Sequence, residues 1–119
     1  MNRRQLIFFA TLLVAAGGAQ AFNLAFLGDS VMQRITAQDA QLMSGALDAA
    51  LAAPEEGNVR DWSNPESGAN GAVTLRRIYQ RHGRACRSLH IRTTAQSVTA
   101  QGVYQLCQEP GGAWMFAID

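Results

Sequence analysis

After Gly57 no link in this sequence is long enough to carry the chain back over a sheet. Segments with strand character follow at 58–63, 72–80, 84–94, 100–108 and 113–118. Between them lie Asn64-Pro65-Glu66-Ser67-Gly68 with Asn70-Gly71, then His82-Gly83, Gln96-Ser97 and Pro110-Gly111-Gly112. These are turn residues: proline pre-sets φ, and glycine or asparagine takes positive φ. A parallel neighbour needs a crossover of about a dozen residues or more, which these links cannot supply. The segments therefore predict an antiparallel meander. In 72–80, Val73, Leu75 and Tyr79 fall at alternate positions, the period of one strand face.

The stretch before Gly57 has the other period. Ala40, Met43, Ala46, Leu47, Ala50 and Leu51 recur at i, i+3 and i+4 and make one apolar helix stripe. Gln38, Gln41, Ser44 and Asp48 lie largely off it. Thr36 is suited to the N-cap, and Asp39 three residues on approximates a capping box at the positive end of the helix dipole. Pro54 ends the run, since it lacks an N–H and biases its predecessor out of helical geometry. The helix is predicted over 37–53. One N-terminal helix packed on a four- to five-stranded antiparallel meander sheet is an α+β fold.

A hairpin of 84–94 with 100–108, turning at Gln96-Ser97, opposes residues whose numbers total 193. Cys86 and Cys107 satisfy that register, which sets Leu89 against Tyr104 and Arg87 against Leu106 on the other face. Directly opposed positions suit a cross-strand disulfide. The alternative is a redox-active or metal-binding pair, although there is no C-x-x-C spacing and no nearby set of metal ligands.

An oxidising compartment is expected. Asn2-Arg3-Arg4 is a short positive region, 6–16 is an apolar run, and Ala19 and Ala21 stand in an A-x-A arrangement. This is the pattern of a secretory signal peptide over 1–21. The apolar run falls short of the roughly 20 residues that span a bilayer, and nothing after Ala21 supplies a transmembrane segment. No cysteine lies near the cleavage site, so the reading is export without lipidation. Residues 22–119 then form a single small domain, with 22–35 an apolar arm that could be ordered, a strand or a sticky tail. A core of that size is marginal, so a disulfide matters to it.

Few catalytic constellations are visible. Gly28-Asp29-Ser30 resembles the nucleophile block of GDSL-type hydrolases, but no Asp is followed by His three residues on, and the later blocks are missing. A serine without base and orienter is not activated. The simpler expectation is a polar turn before the helix. His82 is placed in a turn and His90 mid-strand on the cysteine face, with no carboxylate forced beside them. No catalytic residue, metal site or cofactor is predicted.

All ten basic side chains are arginine, and they are distributed unevenly. Residues 22–66 carry seven acids and two arginines, whereas 67–119 carry six arginines and two acids. Arg76, Arg77, Arg81, Arg84, Arg87 and Arg92 lie on neighbouring strands and the turn between them, a candidate surface for an envelope protein, an anionic glycan or a lipid. The bland alternative is a solvated face paired with the acidic half. Aromatic residues do not interleave with the arginines as nucleic-acid binding requires, so no nucleic-acid partner is expected.

Trp62-Ser63-Asn64-Pro65-Glu66-Ser67-Gly68, Gly71-x-Val73-Thr74, Tyr79, Arg84-x-Cys86-Arg87, Cys107 and Gly112-x-Trp114 together resemble the C-terminal domain of bacterial outer-membrane surface antigens. This is the family of the rickettsial 17 kDa surface antigen. The resemblance spans about Leu42 to Trp114. It implies a proteobacterial envelope protein with no assignable enzyme activity; by turn chemistry and aromatic packing, Trp62, Asn64, Pro65, Gly68, Tyr79 and Trp114 are expected as structural turn and core. Many relatives carry a lipid-attached cysteine and a glycine-rich hydrophobic segment before the domain, and this sequence has neither, which favours the periplasm or the periphery of the outer membrane. The expected function is binding or structural association without catalysis. The alternative is a small secreted inhibitor of a hydrolase, presenting loop 64–71 to a cleft.

Overall fold

The computed structural model describes residues 27–117. The signal-peptide reading, residues 22–26 of the arm and the last two residues lie outside that range. Within it the order is α1 (Asp29–Met32), α2 (Ala37–Ala52), β1 (Val59–Ser63), β2 (Asn70–Arg81), β3 (Arg84–Ala95), β4 (Val98–Gln108) and β5 (Trp114–Phe116). The strands form one sheet in sequential order, and every neighbouring pair is antiparallel. The α+β meander with one helix layer is the fold the short links required.

Helix α2 starts where the sequence placed its cap. Thr36 Oγ1 accepts from the Asp39 N–H at 3.0 Å, and Asp39 Oδ2 accepts from the Thr36 N–H at 2.8 Å. This is a complete capping box. The helix ends at Ala52, with Ala53 already extended before Pro54. Met43, Ala46, Leu47, Ala50 and Leu51 are buried and face Val73, Leu75, Leu89, Ile91 and Leu106 of the sheet. Leu27 and Val31 join the same core, so the described part of the arm is packed rather than loose. The polar turn expected at Gly28-Asp29-Ser30 is the start of α1, a single helical turn anchored by Val31. Burial of that one valine outweighs the turn preference of its polar neighbours.

The β3–β4 hairpin has the register derived above: Cys86 opposes Cys107, Arg87 opposes Leu106 and Leu89 opposes Tyr104. The disulfide is formed, with S–S at 2.04 Å. Gln96 and Ser97 both take positive φ, 50° and 68°, as a two-residue type I′ turn demands.

One face assignment is corrected. Val73 and Leu75 point to the helix, but the register of β2 against β3 slips at Arg76, where an extra residue forms a bulge. Beyond it Tyr79 opposes Cys86 and lies on the other face from Val73 and Leu75. A one-residue insertion reverses the alternation of everything after it. The strand edge there is held by the segment between α2 and β1. Gly57 N–H donates to Leu75 O at 2.6 Å, Leu75 N–H donates to Asn58 O at 2.8 Å, and Glu56 Oε2 accepts from Ile78 N–H at 2.8 Å.

Candidate interaction surface

The Trp62–Gly68 block closes onto the helix N-terminus. Asp39 is fully buried, and its Oδ1 accepts from Asn64 Nδ2 and from Ser67 Oγ, both at 2.7 Å. Burial alone would push the Asp39 carboxyl up. Hydrogen bonds from Ser67, the Thr36 backbone and Asn64 outweigh it and hold the group below its ordinary value. Asn64 Oδ1 accepts from the Glu66 N–H at 3.1 Å, and Gly68 takes φ 81° to close the loop. Trp62 is buried across Gly71, where an added Cβ would fall 2.6 Å from its Nε1 and collide with the Arg92 carbonyl. The glycine is there because tryptophan needs its space. Asn64 and Ser67 thus spend their side chains inward, on the fold.

The opposite side of the sheet carries no covering element among the described residues. Residues directly opposed across antiparallel strands share a face, so the register reads as rows. One row is Val59, Thr74, His90 and Val103. The next is Arg77, Ser88 and Gln105. Then come Tyr79, Cys86, Cys107 and Met115, and at the hairpin end Arg81 with Arg84. Towards the other end lie Asp61, Ala72, Arg92 and Gln101.

This open face mixes cations with apolar groups. Val59, Val103 and Met115, at 50%, 49% and 53% exposure, all lie on it. Among the described residues the other exposed large hydrophobic is Met32, in α1. Arg77 stacks over the Tyr79 ring at 4.5 Å, and Tyr79 Oη donates to Gln105 Oε1 at 2.7 Å. Gln105 Nε2 in turn donates to Ser88 Oγ at 3.1 Å, and His90 Nε2 meets Gln101 Oε1 at 3.2 Å. The polar centre of the face is therefore held in place by its own hydrogen bonds, with arginines and three apolar side chains around it.

The six arginines singled out in the sequence do not form one surface. Arg77, Arg81, Arg84 and Arg92 share the open face. Arg76 occupies the bulge. Arg87 lies on the helix side, its guanidinium 5.3 Å from the Trp114 ring. Arg84 pairs with Glu109 at 3.1 Å, within its own half of the chain rather than with the acidic half. Sequence reasoning missed Val59, Val103 and Met115 as members of the surface, because their exposure depends on which face the helix covers. At the hairpin end the face opens into a groove of about 570 Å³ lined by Arg81, His82, Arg84, Cys107, Glu109 and Met115, with Phe116 and Ala117 at its side. Among the described residues no three or more His, Cys, Asp and Glu side chains converge as a metal site would need. No described helix is long and apolar enough to cross a membrane.

The family model for the 17 kDa outer membrane surface antigen matches residues 49–115. The chain belongs to this family. The match covers β1 to β4, both cysteines and the Trp62–Gly68 block, the residues on which the resemblance was drawn. It starts ten residues after Asp39, so the acceptor that anchors the block lies outside the matched segment. No curated protein and no solved structure matches the chain. Membership in the surface-antigen family supports an envelope protein.

Proposed function

We propose that this surface-antigen family member is exported, has no catalytic role, and works by binding an envelope partner through the open face of its sheet. One observation carries the reading: the uncovered face holds four arginines and three of the exposed large hydrophobics. Arginine, tyrosine and methionine are the residue types enriched in protein interfaces, and arginine forks also recognise carboxylate and phosphate. The signal-peptide pattern over 1–21 supports export, and the lack of a cysteine near its end supports the periplasm or the periphery of the outer membrane. The inhibitor alternative needs loop 64–71 to enter a cleft, yet Asn64 and Ser67 are committed to Asp39.

The chain has no lysine, so amine-directed cross-linkers cannot report the surface. A photoreactive amino acid placed at Val103 on the open face, or at exposed Gln41 on α2, tests the reading in intact cells. Capture of a defined envelope component from position 103 and not from 41 supports it. Equal capture from both positions, or capture from 41 alone, contradicts it. A hydrolase captured from a probe at Glu66 establishes the inhibitor role instead.

A further inference from the structure

We infer that the chain pairs with a second copy of itself along the free edge of β4. This pairing is independent of the open-face reading. Ala117 N–H donates to Gln105 O at 2.8 Å, and Glu109 N–H donates to Ala113 O at 2.7 Å. Gln105 and Glu109 therefore turn their backbone polar groups toward β5. These groups alternate sides along a strand, so Thr99, Gln101 and Val103 turn theirs the same way. Among the described residues no backbone group pairs with them on that side. All three residues are exposed.

Natural sheet edges carry charges, prolines or bulges that discourage pairing with another chain. From Val98 to Gln108, β4 has no charged residue, no proline and an unbroken register. The edge on the other side of the sheet is different. There β1 spans only Val59–Ser63 and carries Arg60 and Asp61. Two antiparallel copies of β1 in its central registers would set Arg60 against Arg60 or Asp61 against Asp61, and like charges directly opposite destabilise a strand pair. One edge is thus guarded against self-pairing and the other is not.

The apolar layer also thins toward β4. On the helix side Thr93 and Ala95 of β3 are buried, whereas Ala100 and Val98, directly opposite them, are only half-buried. A second copy extends the sheet past that flank and covers it. One register fits best, because opposed residues share a face and outward backbone groups must meet outward groups. Gln101 then opposes Gln101 of the second copy, and Thr99 opposes its Val103 in both directions. Each of these pairs exchanges two hydrogen bonds. Moving the two-fold axis by one residue loses a Thr99 or Val103 pairing, because its partner becomes the turn residue Ser97 or Gln105, which already accepts from Ala117. The contact is isologous and closes at two chains. It makes one continuous sheet with both open faces on the same side.

The test uses the oxidised protein purified from exporting cells. Sedimentation equilibrium from micromolar to submillimolar concentration is expected to show a two-chain species. Gln101→Pro removes one outward N–H from each copy, a change that an edge strand accepts. It is expected to weaken the dimer about tenfold or more, the loss of both hydrogen bonds of the central pair. A wild-type circular dichroism spectrum and an intact Cys86–Cys107 bond separate lost pairing from lost folding. Gln101→Cys keeps the edge and reads the register directly, since mild oxidation should link two chains through it. Thr99→Cys alone should not link, whereas a mixture of Thr99→Cys and Val103→Cys proteins should. A monomer at every concentration overturns the inference. So does a monomer whose Thr99 and Gln101 amides resist hydrogen exchange, which gives the edge to another segment of this chain such as 22–26. Linking through Arg60→Cys in place of Gln101→Cys, or a dimer that Gln101→Pro leaves intact, overturns the β4 assignment. Species larger than two chains overturn the closed pairing. Only purified protein is present, so none of these results bears on the photo-capture of an envelope partner at Val103.

Discussion

Asn64 Nδ2 donates to Asp39 Oδ1 at 2.7 Å and so ties the loop after β1 to the first turn of α2. The same carboxylate closes the capping box with Thr36 and accepts from Ser67 Oγ. One buried side chain therefore fixes the start of the helix and the angle at which it meets the sheet. Removing it costs more than a cap. Asp39→Ala forfeits roughly 1 kcal/mol of capping and leaves the buried Asn64 amide only its longer contact to Gln38 Oε1 at 3.4 Å, for a total of about 2–3 kcal/mol. Thermal melts should fall by about 10 °C or more. Ser67→Ala, which removes one partner at a more exposed position, should cost about 1 kcal/mol.

The same group makes stability depend on acid pH. The Asp39 carboxyl is held below its ordinary value in the folded state, so the unfolded chain takes up a proton first. Its contribution is complete above the unfolded value of 3.8 and is lost as pH falls through the lower folded value. Asp48 runs the other way, because burial raises its carboxyl. Urea midpoints should drop below about pH 4 in the wild type, and Asp39→Asn should flatten that part of the profile. An unchanged slope in Asp39→Asn would assign the acid sensitivity elsewhere.

The disulfide joins the two central strands of the β3–β4 hairpin across a separation of 21 residues. The chain-entropy model gives about 3 kcal/mol for a loop of this size. Cys86→Ser should lower the melting temperature by about 10 °C or more. The native wild-type protein should show no titratable thiol before reduction. Two reactive thiols with an unchanged melt would contradict the assignment.

The β3–β4 turn stores a small cost that can be removed. Gln96 and Ser97 sit at φ 50° and 68°, where residues with a Cβ are disfavoured and Asn-Gly is the preferred pair. Gln96→Asn with Ser97→Gly should raise stability by roughly 1 kcal/mol, read as a higher urea midpoint at unchanged slope.

The meander and the cysteine register were legible because both follow from local spacing. Two-residue turns fix which residues oppose each other, and Cys86 with Cys107 fell out of the position of Gln96-Ser97. The cap at Thr36 was legible for the same reason, since its partner is three residues away. Three things were hidden. The bulge at Arg76 leaves no mark in composition, and it moves Tyr79 to the open face. The link from Asp39 to Asn64 crosses 25 residues without a periodic signal. The division of the arginines, with Arg87 on Trp114 and Arg77 on Tyr79, depends on that bulge and on which face the helix covers. The candidate surface was therefore legible as a set of strands but not as a face.

The open face carries the functional account, and two methionines report on it with an internal control. Met115 lies on that face and Met32 lies in α1 on the helix side, and both are exposed in the free protein. Radical oxidation of intact cells, compared with the purified protein, reads their protection by mass spectrometry. The account predicts that Met115 is protected in cells while Met32 is oxidised as in the purified protein. Equal oxidation of Met115 in both settings, or protection of Met32 alone, would contradict it.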